Sequence, residues 1–155
     1  MEHWNGSTWR LSAAPAPGGA SGYLDAVAAN GRGLWAVGQT DDAALGGRAL
    51  VEQCAAGVWR SSLLSVGSDF TNLNGVALAD GRPRAVGTFY DAAIDRQQTL
   101  VVHLIGSGWV IVAAPTPGTG DAVLGGLTAS RGQLWTGGYY KDATGREPLI
   151  EHADT

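Results

Sequence analysis

Few side chains in this sequence combine the type and the spacing that chemistry needs. His3, His103 and His152 invite a metal reading, because imidazole is the commonest protein metal ligand. They occupy one slot of an internal repeat, however. That sets them on different structural units more than ~10 Å apart, too far to share one metal at ~2 Å bond lengths. Only His3 and His152 would meet, if the two termini converge at a closure, and the three read as satisfied strand-end histidines. Cys54 is the single cysteine. It has no C-x-x-C partner and no marked base, so it reads as a small, half-buried apolar residue, and an internal disulfide is excluded. Asp41, Asp42, Asp91, Asp95 and Asp142 gather between apolar runs without the spacing of a calcium loop, and read as solvated turn residues. Asn5-Gly6-Ser7 has the form of a glycosylation acceptor, yet Asn-Gly is also a turn signal. The sequence contains no nucleophile elbow, phosphate loop or paired-carboxylate motif. It therefore points to no catalytic residue, no metal ligand and no cofactor.

What remains is a set of binding candidates. Asp25 and Asn74 share one repeat slot, with Gly125 in the third copy, and are the best-placed polar groups to face a central axis. Tyr90, Tyr139 and Tyr140, with Tyr23, lie beside the acidic turns. Aromatic rings next to Asp and Asn make up a sugar-binding rim, and they also make up ordinary loops.

Side chains spread this evenly require a repeated scaffold, and the repeat is explicit. Trp9, Trp59 and Trp109 are spaced by fifty residues. Pro15 and Pro17 return as Pro115 and Pro117, Ala36-Val37-Gly38 as Ala85-Val86-Gly87, and Leu34-Trp35 as Leu134-Trp135. Leu50-Val51 returns as Leu100-Val101 and as Leu149-Ile150. The chain is three copies of a unit of about fifty residues.

Composition fixes the class of that unit. The 155 residues suit one domain; 45% are hydrophobic and 15% charged, enough for a core and too little charge for a disordered chain. A net charge of −4 offers no basic stripe for nucleic acid. The 24 glycines and 6 prolines are spread along the length and exclude long helices. No apolar run approaches the ~18 residues of a membrane helix, and the first ten residues lack the basic start and apolar stretch of an export signal. Short apolar runs bounded by Gly, Asp, Asn and Pro read instead as strands.

Each unit reads as four strands: 23–29, 34–40, 48–54 and 57–64, then 72–78, 83–89, 97–104 and 108–113, then 122–129, 133–139 and 147–152, where the fourth is missing. A four-stranded repeat of this length is the signature of a propeller blade. The expected fold is an all-β propeller with three four-stranded blades per chain: 23–64, 72–113 and 122–152. The first strand of each blade should be innermost. The second, with Trp35, Val37, Val86 and Trp135, should be its packing centre, and Trp9, Trp59 and Trp109 should cover the seams between blades.

The order Glu2-His3-Trp4-Asn5-Gly6-Ser7-Thr8-Trp9, Pro15-Ala16-Pro17, Leu24 to Ala28, Leu34-Trp35-Ala36-Val37-Gly38 and Ala49-Leu50-Val51-Glu52 resembles one blade cycle of bacterial propeller repeats, which are kelch-like in broad terms. The resemblance covers nearly the whole chain. It implies the propeller fold and says little of activity, although such repeats are often extracellular. Copy two departs from the pattern with Gln53-Cys54-Ala55-Ala56-Gly57 and with Arg84 in a Trp slot; copy three has Thr136-Gly137-Gly138.

Three blades do not close readily, since closed propellers have ~4–8. An open set leaves two apolar faces uncovered. Two copies make six, and the spare N-terminal strand, 8–13, would complete the third blade of a partner by pairing with 147–152. The same spacing also suits a portion of a longer polypeptide. The assembly residues on this reading are Trp4, Trp9, Leu149 and Ile150. The expected function is a non-catalytic, self-associating homodimer that forms a six-bladed ring and binds a glycan or protein on its loop rim. The second reading is a propeller-type hydrolase or lyase with its site in the axial pocket.

Overall fold

A computed structural model of the chain describes residues 2–12, 14, 15, 17, 21–31, 33–42, 46–68 and 70–154. The described residues form thirteen strands in four antiparallel sheets. Strands β1 (Glu2–Trp4) and β2 (Trp9–Leu11) make a separate hairpin. Sheet one meanders through β3 (Ser21–Asn30), β4 (Gly33–Asp42), β5 (Gly46–Ala55) and β6 (Val58–Leu64). Sheet two repeats this with β7 (Thr71–Ala79), β8 (Arg82–Asp91), β9 (Arg96–Ile105) and β10 (Gly108–Val112). Sheet three stops at three strands: β11 (Ala122–Ser130), β12 (Gln133–Asp142) and β13 (Gly145–Asp154).

The hairpins follow from local chemistry. Ala56-Gly57, Asp80-Gly81 and Arg131-Gly132 each place two successive residues at positive φ. That is the backbone of a two-residue turn whose twist matches its flanking strands, and the glycine makes it affordable. Each first strand then carries a bulge at the same slot. The register slips between Leu24 and Ala26, between Leu73 and Gly75, and between Leu124 and Gly126. Asp25, Asn74 and Gly125 are the extra residues.

The three larger sheets stack in a propeller-like way, with β7 lying between β3 and β11. The first seam buries Trp35, Val37 and Val51 of sheet one against Leu73, Val76, Leu100 and Val102 of sheet two. The second joins Val86 and Val101 of sheet two to Leu124, Leu127 and Leu149 of sheet three. Polar ties reinforce the second seam. Asn74 Nδ2 donates to the Leu124 carbonyl at 2.7 Å, and Asp121, in the link to β11, accepts from Gln97 N at 3.0 Å and pairs with Lys141 at 2.7 Å.

The stack is open. Among the described residues, sheets one and three each have a neighbouring sheet on one face only, and β13 pairs only with β12. Within the single chain, β2 pairs with β1 and not with β13.

Candidate assembly interface

Because side chains alternate along a strand, each sheet has a face toward the preceding sheet and a face toward the following one. In the second strand Trp35, Arg84 and Trp135 hold one register slot, opposite Gln53, His103 and His152 respectively. Trp35 points into the first seam and is 7% exposed; Trp135 points off sheet three and is 40% exposed. The third strand tells the same story. Val51 in the first seam is 2% exposed, and Ile150, at its slot in sheet three, is 74% exposed. A shallow apolar depression runs over this face, floored by Gly126, Leu127, Thr128, Gly137 and Ile150 beside Trp135. Trp135 stacks on His152 there, with ring centroids 4.9 Å apart.

Glycine spacing repeats the asymmetry. A Cβ on Gly75 would stand 2.7 Å from the Leu127 nitrogen, because β11 passes close by. At Gly126, the same slot one sheet on, a Cβ would meet nothing within 4 Å. Sheet three thus keeps the small residue that a close inner strand demands, on a face where the described residues place no strand.

The opposite end of the stack presents the other face of sheet one, where Leu24 and Val27 are exposed while Ala36, Thr40 and Leu50 are buried. Glu52 lies on that side and is buried. Ser61 Oγ donates to its Oε1 at 2.8 Å, while Oε2 has no hydrogen-bond partner among the described residues. Burial pushes this carboxyl above the ordinary glutamate range, and the Ser61 hydrogen bond offsets part of that rise.

The N-terminal hairpin is held by its turn. Asn5 Oδ1 accepts from the backbone N–H groups of Ser7 at 3.0 Å and Thr8 at 2.9 Å, and Gly6 takes φ 99°. Trp4 pairs with Trp9, ring centroids 5.7 Å apart. Trp9 is 65% exposed and Leu11 81%.

The sequence-derived binding residues do not converge. Asp25 is exposed on its bulge. Asn74 is spent on the second seam. Tyr90 donates from its hydroxyl to Asp95 within the β8–β9 hairpin. The Arg146 guanidinium lies 4.0 Å over the Tyr139 ring, and Tyr140 packs against the second seam. Of the assembly residues, Trp4, Trp9 and Ile150 are exposed, whereas Leu149 is inside the chain's own second seam. Trp109 packs against the first seam from the outer strand β10, and Trp59 is half-buried on β6. Among the described residues, no three His, Cys, Asp or Glu side chains are grouped to hold a metal ion.

Sequence reasoning passed over Arg84, Glu52 and Glu151 as a set. Arg84 and Glu151 line one cavity in the second seam. Burial pushes the Glu151 carboxyl up, and burial, with the nearby Arg84 charge, holds His103 below the ordinary histidine range. The available signal was Arg84 itself, a cation in a tryptophan slot. No protein-family model matches the chain, and no curated protein matches it.

Proposed function

We propose that the chain is a non-catalytic assembly module that pairs with a second copy into a closed six-bladed ring. Sheet three of each copy packs on sheet one of the other, so one two-fold axis generates both new seams. The observation that carries this reading is the contrast between Val51 and Ile150, equivalent residues of which one is covered by a neighbouring sheet and the other is open to water. Two seams inside the chain supply the template for how such faces pack. In the new seam Trp135 of one copy would stand where Trp35 stands in the first, across from Glu52 of the partner, as Arg84 stands across from Glu151. The indole N–H then supplies the donor that Glu52 Oε2 lacks. The resemblance to bacterial propeller repeats agrees with the arrangement, and the rim carrying Tyr90 and Tyr139 is the surface such a ring offers to a glycan or protein.

Light scattering tests the reading. The intact chain should have twice the monomer mass at micromolar concentration, and Ile150→Glu should return it to a folded monomer. A monomeric wild type, or a ladder of higher oligomers, would refute ring closure by two copies.

A further inference from the structure

We infer that the cavity in the second seam is the seat of the Trp9 indole of a second copy, which adds its β2 to the unpaired edge of β13. This rests on the ring reading and names the contact that locks it.

The cavity has a volume of about 130 Å³. Val101 and Val112 wall it from sheet two, Ala113 from the link that follows β10, and Leu134, Glu151 and Arg84 contribute from either side of the seam. An apolar cavity of ~150 Å³ accepts benzene, so this one, which is open on one side, takes one ring of an indole while the other ring lies over its mouth.

The first seam shows what belongs there. Its outer end is covered by the fourth strand of sheet two: Trp109 packs against the seam, and Trp109 and Ile111 share a groove with Ser62, Leu63, Leu64 and Ser65. Fifty residues on, Val112, Ala113, Ala114 and Pro115 line the cavity, but the described residues give sheet three no fourth strand that brings a tryptophan over them. The strand with the right residues is β2. Trp9 pairs across its hairpin with Trp4 as Trp59 pairs with Cys54 and Trp109 with Leu104, and Leu11 follows Trp9 as Ile111 follows Trp109. Both β2 side chains are exposed on the isolated hairpin.

The polar atoms of the cavity fit the same occupant. Glu151 Oε1 and Arg84 Nε are buried there without hydrogen-bond partners among the described residues. An indole is a donor only, so its N–H suits the carboxylate oxygen, and its face suits the guanidinium through a cation–π contact.

One consequence follows for the N-terminal hairpin. Ala153 holds the slot of Cys54, each being opposite the leucine of its second strand, Leu134 or Leu34. Docked β2 would therefore set Trp9 against Ala153, Arg10 against His152 and Leu11 against Glu151. On the hairpin those positions are held by Trp4, His3 and Glu2. The pair Glu-His thus occurs on both competing strands, and β1 must leave β2 before β13 can take it.

The test uses the full chain and two readouts. Light scattering gives the mass, and fluorine NMR of 5-fluorotryptophan-labelled protein, with the Trp9 resonance assigned through Trp9→Phe, gives its solvent exposure. In the dimer the Trp9 resonance should become protected from solvent. Ala113→Trp, which fills the cavity from within the chain, should weaken dimerisation by about thirtyfold or more, the order expected when an aromatic anchor loses its pocket, while the folded monomer persists by circular dichroism. His3→Pro, which breaks β1 pairing without touching the cavity, should tighten the dimer. A dimer in which Trp9 stays exposed, or in which Ala113→Trp associates as tightly as the wild type, overturns the seat and leaves ring closure standing. A monomeric wild type overturns both.

Discussion

The carbonyl oxygen of Asn72 lies 1.9 Å from the point where a Cβ on Gly87 would stand. The same approach recurs in the other sheets, with Tyr23 O at 1.8 Å from Gly38 and Val123 O at 1.9 Å from Gly138. In each case the bulge of the first strand turns a carbonyl toward the second strand, and only a residue without a side chain leaves room for it. Gly87→Ala must either flatten the bulge or push β7 off β8. Overpacking of this kind costs ~1–3 kcal/mol or more, and here the obstructing atom is backbone, so the upper end is expected. Urea unfolding should show a lower midpoint for Gly87→Ala. Gly126→Ala, in open space, should leave the monomer unchanged and weaken association of two copies.

Trp35 and Trp135 make a matched pair for separating folding from assembly. Truncating a buried aromatic costs ~3–5 kcal/mol. Trp35→Ala should cost that much in the unfolding of the chain, because the indole is enclosed by the first seam. Trp135→Ala should barely move monomer stability, since the indole sits on an uncovered face, and should weaken the dimer instead. Equal losses of monomer stability in the two variants would mean that the free face of sheet three is covered from within its own chain.

The all-β meander was legible because it is written in features that repeat: the Gly and Pro punctuation, the tryptophans fifty residues apart, and the apolar runs that became β3 to β13. The roles of single residues were less legible. Asn74 looked like an axial ligand because its slot is shared with Asp25, yet the bulge turns its amide onto Leu124 O, a contact fifty residues away that no local pattern announces. Leu149 and Ile150 looked alike as assembly residues. Strand alternation sends one into the second seam and the other to solvent, and the side that faces solvent depends on where the stack of sheets ends. Gly38, Gly87 and Gly138 were visible as landmarks, and their cause, a carbonyl on the neighbouring strand, was not.

Asn74 gives a local test of the second seam. Its Nδ2 donates to Leu124 O at 2.7 Å, and its Oδ1 accepts from Asn72 Nδ2 at 2.6 Å. Asn74→Asp keeps the shape and removes the donor, so a carboxylate oxygen faces a carbonyl oxygen across the seam. Losing a partly buried hydrogen bond and leaving its acceptor unmatched costs ~1–3 kcal/mol. Hydrogen exchange should report the loss as faster opening of β11 than of β3, which lies in the other seam. Uniform acceleration across all three sheets would show that Asn74 acts on global stability and not on this seam.

Glu52 and Glu151 make stability depend on pH in a direction that can be worked out. Burial raises both carboxyl groups above the ordinary glutamate value of ~4.3. The folded chain therefore holds these two protons more tightly than the unfolded chain does. Stability from this source is fully present below the unfolded value and is lost as pH rises through the raised folded value. His103, held low, and Asp121, held low first by its Lys141 hydrogen bond, act in the opposite sense: their contributions are lost as pH falls through their depressed values. A difference measurement isolates the glutamates. Glu52→Gln with Glu151→Gln removes two desolvated charges while keeping the side-chain shape, so the double variant should be more stable than the wild type at pH 7. The gap should narrow steadily as pH falls through the raised glutamate values toward ~4.3, where the wild-type carboxyl groups become neutral in both states. Urea midpoints of the two proteins between pH 4 and pH 8 give the comparison. A gap that stays constant with pH would mean that these carboxyl groups titrate alike in the folded and unfolded chain, and that neither is desolvated by the fold.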